Sequence, residues 1–361
     1  MANHIGAGLY QTGPKCPRGP PMDFVIFFFK RIIVAIPLLL GISIVSFAII
    51  QAVPGDYVDT WIANTSAQTG KSYDELLPQA TAMRERLGLD QPVAIQYLDW
   101  LKNIVTAGDF GMSFEQNRPV TEVIGTRLPR TLILAVMTLV IGQVMGVLLG
   151  IYAATNQYKL GDNLATLIAF LGIVIPKFVI SLVILYFLAI VWHSPYIGAV
   201  NSPQYILQDG WTLDKFWDFL KHVWPVLLVS VWAGQAYTTR MMRGNLLDVM
   251  NMQYIETARA KGLSRGKVLF KHAVPNALHP VIMNLGTRFD YMIKGEIEIA
   301  IVLGIPTVGP LILGAVGDRD MYVVSAIFMM VAILLVLGNI FADLMLALLD
   351  PRVRRATLTR T

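Results

Sequence analysis

Long apolar runs dominate the chain: residues 32–53 (IIVAIPLLLGISIVSFAIIQAV), 131–154, 163–192, 223–239, 276–301 and 322–349. A helix crossing a hydrocarbon layer needs about 20 consecutive apolar residues. The pattern therefore predicts an all-α, polytopic membrane protein with about six transmembrane helices. Segment 163–192 is long enough to tilt strongly or to break at Pro176, and 223–239 is short for a crossing. The polar intervals predict helices of another kind. Within 54–130, AIQYLDWLKNIV (94–105) has amphipathic spacing, with Ile95, Leu98, Leu101 and Val105 toward one side. The 193–222 interval is rich in Pro, Tyr and Trp, as suits a membrane-interface belt. In 240–274 the pattern predicts two short helices. Asp248 is placed to cap the first, 249–261, and Gly262 to end it in the left-handed conformation. Ser264 is placed to cap a second helix through about His272, and Pro275 marks entry into the next apolar run.

Composition agrees with this pattern: 55% of the 361 residues are hydrophobic, only 15% are charged, and the mean hydropathy is +0.57. These values lie outside the usual range of soluble domains. Residues 1–22 hold no sustained apolar run and read as a disordered N-terminal tail, with Met22 an alternative start. The first transmembrane helix, 23–53, is of spanning length and lacks a small-residue cleavage pattern, so it is expected to stay as an anchor and not to act as a cleaved signal. Cys16 is the single cysteine, which excludes an intramolecular disulfide.

Charge adds an orientation. Residues 240–271 carry seven basic side chains (Arg240, Arg243, Arg259, Lys261, Arg265, Lys267, Lys271) against two acidic ones, and the tail 350–361 carries Arg352, Arg354, Arg355 and Arg360. Positive residues beside spans resist translocation, so both stretches are expected in the cytoplasm. The 54–130 loop has seven basic and ten acidic residues, which fits an extracytoplasmic position. Both termini then lie inside. The net charge of +5 is a topology signal; the basic residues lack the aromatic interleaving of a nucleic-acid surface, so no nucleic-acid partner is expected.

Candidate chemistry is sparse. GLSRGKV (262–268) is one residue too short between glycines for a phosphate loop and has Val268 where a Mg²⁺-binding hydroxyl belongs. The five histidines, His4, His193, His222, His272 and His279, have no metal-ligand spacing. No catalytic residue, cofactor or metal is expected in this chain. Gly142, Gly146, Gly150 and Ala154 recur every fourth residue and permit close helix approach, most simply within the subunit. Charges inside apolar runs carry more information, because an ionised group at bilayer depth costs at least ~2.5 kcal/mol. Lys177 follows Pro176 and either lines a path or snorkels from a broken span. Asp290, Lys294 and Glu298 lie four apart on one helical face, with Arg288 and Glu296 nearby; they either border a central pathway or form a structural ion network.

The phrase YIETARAKGLSRGKVLFKHAVPNALHPVI (254–282) places Glu256, Ala258, Gly262 and Pro275 in the order E-x-A-x3-G-x12-P. This resembles the cytoplasmic loop of permease subunits in ATP-driven, binding-protein-dependent importers, and the whole phrase looks like their dipeptide/oligopeptide/nickel branch. The general family pattern has an alanine where this chain has Thr257. Further likeness lies in KRIIVAIPLLLGISIVSFAIIQAVPGD (30–56), RLGLDQP (86–92), QYLDWL (96–101), GDFGMSF (108–114), RLPRTL (127–132) and NIFADLMLALLDPRVRR (339–355). The resemblance implies a multi-pass inner-membrane permease core over 131–349, pairing with a second homologous permease subunit, two ATP-binding cassette ATPases that use ATP and Mg²⁺, an extracytoplasmic substrate-binding protein and membrane lipid. It implies that Tyr254, Glu256, Thr257, Ala258, Ala260, Gly262 and Pro275 belong to the element that docks on the ATPase, with Ala258 and Ala260 small enough for close approach. The family's glutamate near residue 300 is matched by Ala300, with carboxylates at Glu296 and Glu298 instead. The implied cargo is peptides or related small solutes; nickel, oligosaccharide or opine transport is the alternative within the family. A self-sufficient ion-coupled transporter would instead use the buried carboxylates as a relay. The docking loop and the lack of an evident repeat of hydrophobic segments argue against it.

Overall fold

A computed structural model describes residues 22–349 apart from 207 and 209, with side chains described outside 22–32, 286, 287, 289–294 and 341–349. Both expected tails, 1–21 and 350–361, lie outside the described residues, as do the side chains of Asp290 and Lys294. The described residues are helical throughout, with one isolated bridge between Met112 and Pro119.

The apolar helix α1 (Met22–Gln51) leads into a lobe of four shorter ones, α2 (Tyr57–Thr69), α3 (Tyr73–Leu87), α4 (Val93–Ala107) and α5 (Val120–Gly125). Asp56 starts α2 with a reciprocal capping box to Asp59, and Gly70, Gly88 and Gly108 close α2 to α4 in the left-handed conformation. A bundle follows: α6 (Leu128–Thr155), α7 (Leu160–Val174), α8 (Lys177–Tyr186, continued by a π turn over Phe187–Val191), α9 (Pro203–Ile206) and the 38-residue α10 (Leu213–Met250). The chain then forms α11 (Gln253–Ala260) and α12 (Arg265–Lys267), which runs through a π segment (Val268–Ala273) into α13 (Val274–Met283). It ends in α14 (Leu285–Leu303), α15 (Val308–Gly317) and α16 (Met321–Leu349).

Among the described residues, three helical stretches are long and apolar enough to cross a membrane: Ile33–Gln51, Val120–Thr155 and Met321–Ile340. Two bent pairs raise the number to five if each is one span. The pair α7 and α8 turns through 96° at Ile175–Pro176, as the proline permits, and the end of α14 turns through 77° into α15. The predicted 223–239 span lies inside α10, which has the length; His222, Gln235, Tyr237, Thr238, Thr239 and Arg240 dilute its apolar stretch. The predicted 276–301 span is divided at Asn284 between α13 and α14.

The glycine strip of α6 packs within the chain. A Cβ at Gly146 would lie 2.7 Å from Thr238 Cβ and 2.9 Å from the Gln235 carbonyl; one at Gly150 would lie 2.7 Å from Met242 Cβ. α6 and α10 therefore approach nearly backbone to backbone. At the end of the bundle near the lobe, Leu134, Val226, Val229, Ile299, Ala300 and Leu303 pack α6, α10 and α14 together. An aromatic core joins the lobe to α1 and α16: Phe47, Tyr97 and Trp100 form one ring cluster and Tyr57, Phe114 and Tyr322 another. This reverses the expected face of α4: Ile95, Leu98 and Val105 are exposed, whereas Gln96 and Trp100 are buried. Trp100 Nε1 donates to the Phe110 carbonyl at 3.0 Å, and Gln96 Nε2 donates to the Gln91 carbonyl at 2.8 Å. Ring area with satisfied polar tips outweighs an aliphatic stripe.

Candidate functional site

Residues 251–283 build a platform from the inside out. α11 turns Ile255, fully buried, and Ala258, 7% exposed, toward Met242, Leu246 and Val249 of α10 and Val268, Ala273, Val274 and Ala277 beneath it. The opposite face of α11 presents Tyr254, Glu256, Thr257, Arg259 and Ala260. Ala258 is therefore an anchor and not a surface for close approach, because the i, i+3 pair with Ile255 points into the core. Ala260 keeps the exposed position the sequence suggested. The flanking segments also expose apolar side chains: Met252 is 47% exposed, Leu263 36% and Phe270 63%.

The termini of α11 differ in part from expectation. Asp248 lies within the last turn of α10, and Met252, with extended backbone, occupies the N-cap of α11 without a side-chain cap. Gly262 has φ +76° and donates its N–H to the Arg259 carbonyl at 2.9 Å. No atom lies within 4 Å of a Cβ there, so glycine is needed for backbone freedom and not for space. Ser264 is the N-cap of the following helix, also without a side-chain bond. That helix does not stop near His272: the π segment Val268–Ala273 accommodates Pro275, whose missing N–H would interrupt a regular α ladder, and carries the rod into α13. Pro275 is exposed, and Asn276 next to it donates to the Tyr254 hydroxyl at 3.0 Å, tying the rod back to α11.

A connection missed by sequence reasoning ties together two helices of the bundle, α7 and α10, in the turns before the platform. Arg243 of α10 grips Asp162 of α7 through Nε at 2.7 Å and a second nitrogen at 2.6 Å, with Asp162 2% exposed. Tyr158 N–H and the Thr166 hydroxyl add bonds to the same carboxylate. The pair is 81 residues apart in sequence, and no local spacing marks it.

The charged residues of the bundle separate. Lys177 starts α8 immediately after the bend, half-buried, and a Cβ on Gly295 of α14 would collide with its ammonium group. Lys177 therefore packs against α14 near the charged stretch. Glu298 is exposed, whereas Glu296, not singled out from the four-residue spacing, is 1% exposed, and among the described residues neither of its oxygens has a hydrogen-bond partner. Arg288 stacks over the Tyr237 ring of α10, 3.7 Å from its centroid. Among the described residues no group of three His, Cys, Asp or Glu is placed to hold a metal ion.

An apolar multi-helix bundle carrying a polar helix on a buried two-residue anchor is the build of a membrane component that engages something outside the bilayer. The chain belongs to the binding-protein-dependent transport system inner membrane components: a family model of that description matches residues 146–355, and the model of the corresponding N-terminal region matches 24–135. It is thus a multi-pass ABC permease subunit, a transport component and not an enzyme. It is similar to the oligopeptide transport system permease protein AppB of Bacillus subtilis, 34% identical over 328 residues that cover 91% of this chain and 98% of that protein. It is also similar to the dipeptide transport system permease protein DppB of Alkalihalophilus pseudofirmus, 32% identical over 341 residues, covering 90% of this chain and 98% of that one.

Proposed function

We propose that this chain is one half of the membrane pore of an ATP-driven peptide importer, and that α11 docks on an ATPase subunit. The observation that carries the docking role is the division of α11 into a buried anchor, Ile255 and Ala258, and an exposed face, Tyr254, Glu256, Thr257 and Ala260, with exposed Met252, Leu263 and Phe270 in the flanking segments. Exposed large apolar side chains on a polar segment suit a partner surface. The names of the full-length relatives support peptides as cargo. A second permease subunit, two ATPases that use ATP and Mg²⁺, and an extracytoplasmic binding protein complete the system. The basic residues of 240–271 favour the cytoplasmic side for α11, hence both termini inside and the α2–α5 lobe outside. Closure of the ATPases would push on α11, and the Ile255 anchor and the Arg243–Asp162 pair would pass that movement to α10 and α7. Lys177 and the 288–298 stretch of α14, with Asp290, Lys294 and Glu298, border the pathway in this reading.

Affinity purification of the tagged chain from its native membranes tests the reading. Co-purification of ATPases and a second permease with the parent is expected. Glu256→Arg, a change at an exposed position, should release the ATPases at least tenfold while the second permease stays bound. A parent that comes out alone under conditions preserving other membrane complexes would sink the importer reading. ATPases retained by Glu256→Arg at the parent level would remove α11 from the contact.

A further inference from the structure

The exposed aliphatic stripe of α4 lies beside a membrane span, and contacts fix its height along that span. From Arg31 to Gln51, α1 runs ~30 Å at ~1.5 Å per residue. That matches a hydrocarbon layer of about 30 Å. Gln51 therefore stands at the lobe-side boundary of the layer, with Pro54, Gly55 and Asp56 beyond it. α4 touches α1 at this boundary and below it. Gln51 Nε2 donates to Gln96 Oε1 at 3.3 Å, and the Phe47 ring centre lies 5.5 Å from that of Tyr97 and 5.9 Å from that of Trp100. Tyr97 shares a hydrogen bond of 2.8 Å with Ser43, which is ~12 Å deeper along α1 than Gln51.

The same contacts give α4 a deep side and a shallow side: Tyr97 reaches down α1 toward Ser43, and Gln96 meets Gln51 at the boundary. Successive helical side chains are about 100° apart. Going round α4 from Tyr97 and away from the aromatic core, Leu101, Ala94, Val105 and Leu98 come first. Lys102, Thr106, Asp99 and Asn103 come last before Gln96, with Ile95 as the aliphatic member of that group. The outward face is thus apolar on the deep side and polar on the shallow side, which is the order a bilayer boundary imposes on a helix lying in it. Leu98 is 61% exposed and Val105 77%, so the lobe itself leaves the deep side uncovered. At the same height α1 exposes Ile44, Val45 and Ile49, and the two helices present one continuous apolar surface.

We infer that α4 lies in the bilayer boundary, with Leu98, Leu101 and Val105 among the acyl chains and Lys102, Asp99 and Asn103 among the lipid headgroups. Lys102 is placed to lay its aliphatic stem along the apolar side and raise its ammonium to the headgroups. Length decides against a lobe held clear of the membrane. Were Ser43 outside the hydrocarbon layer, only the ~18 Å of α1 from Arg31 would remain to cross about 30 Å. Sliding α1 the other way would draw the charges of Lys30 and Arg31 into the layer. The lobe is thereby moored to lipid through α4 as well as to the bundle through its aromatic core.

The inference rests on α1 as a membrane span and is independent of the cargo and of the ATPases. The test uses the full-length chain, with the subunits that accompany it, reconstituted in phosphatidylcholine vesicles. In a Cys16→Ser background, a nitroxide is attached to Leu98→Cys, Val105→Cys, Asp99→Cys or Asn103→Cys, all at exposed positions of α4. Paramagnetic resonance then compares collisions with oxygen, which concentrates in hydrocarbon, and with a water-soluble nickel chelate. Labels at 98 and 105 should favour oxygen severalfold and report a depth of about 5–10 Å below the headgroup boundary, whereas labels at 99 and 103 should favour the chelate. Preference for the chelate at all four positions would put the stripe in water and overturn the inference. Poor access of both reagents to 98 and 105 would overturn it in another way, by showing that a protein surface, such as a binding protein or a second permease, covers the stripe.

Discussion

The α2–α5 lobe and the α11 platform are both polar segments attached to an apolar bundle, yet they are held in opposite ways. The lobe packs around a broad aromatic core shared with Phe47 of α1 and Tyr322 of α16, with ring tips satisfied nearby, as Trp100 does on Phe110. The platform has almost no core of its own: α11 is eight residues long and rests on Ile255 and Ala258. A helix this short has little intrinsic stability, so its position is set by what lies beneath it. The lobe is thereby held by many rings spread over α1 and α16, whereas the platform rests on one small apolar patch against α10 and α13.

The sharpest way to break this comparison is beneath the platform. Arg243→Ala would strand the buried Asp162 carboxylate and is expected to cost about 3–5 kcal/mol, the usual penalty for removing one partner of a buried pair. Thermal unfolding of the purified chain in detergent measures it. Loss of ATPase coupling should accompany the loss of stability, since α7 and α10 would no longer move as one. A melting temperature equal to the parent's would show that the pair holds nothing. Ile255→Ala comes next, at about 2–5 kcal/mol for a buried truncation if the site stays as packed as it is. Because α11 has a single large anchor, this loss should appear as detachment of the helix, read by faster hydrogen exchange in 253–260 with the lobe unaffected. Equal acceleration in α2–α5 would mean that the two regions are not independent.

The contrast also explains what the sequence could reveal. The α11 platform was legible because its residues do jobs tied to their type: Gly262 takes a left-handed backbone, Ser264 begins a helix, and Glu256 stays in water. Membrane spans were legible from apolar length, although a proline bend and the polar dilution of α10 leave three helices, or five with the bent pairs, meeting the length and hydropathy test. The direction of burial was less legible. Ala258 reads as a small surface residue until Ile255 places it inward, and the aliphatic stripe of α4 lost to Tyr97 and Trp100 because partners distant in sequence, Phe47 among them, supply the aromatic neighbours. Asp162 and Arg243 carry no local signal at all. Four-residue spacing drew attention to Glu298, which is exposed, and away from Glu296, which is buried.

A smaller perturbation separates backbone from side-chain effects at the end of α11. Gly262→Ala meets no steric obstacle, so its cost is the left-handed conformation alone, about 1–2 kcal/mol. Gly262→Asn should recover part of that loss, because asparagine tolerates this region better than alanine. If alanine and asparagine behave alike in thermal unfolding, the glycine is not selected by φ.

The smallest expected effect belongs to the lobe and distinguishes it by pH. Burial alone would push the Asp56 carboxyl up, but the Arg84 guanidinium, bonded at 2.7 Å, together with the backbone N–H groups of Asp59 and Val58, more than offsets this and holds it below its ordinary 3.8. The folded state therefore binds this proton less readily than the unfolded chain, and folding gains from the pair at any pH above about 4. As pH falls through the ordinary value and then through the lowered one, the gain disappears. Both side chains are 28% exposed, so solvent screening keeps the contribution to about 1 kcal/mol or less. Arg84→Met should lower the stability of α2 and α3 at pH 6 and lower it by less as pH falls below 3.8, as read by hydrogen exchange in 57–87. An equal loss across this range would mean that Arg84 holds the lobe through its aliphatic stem and not through its charge.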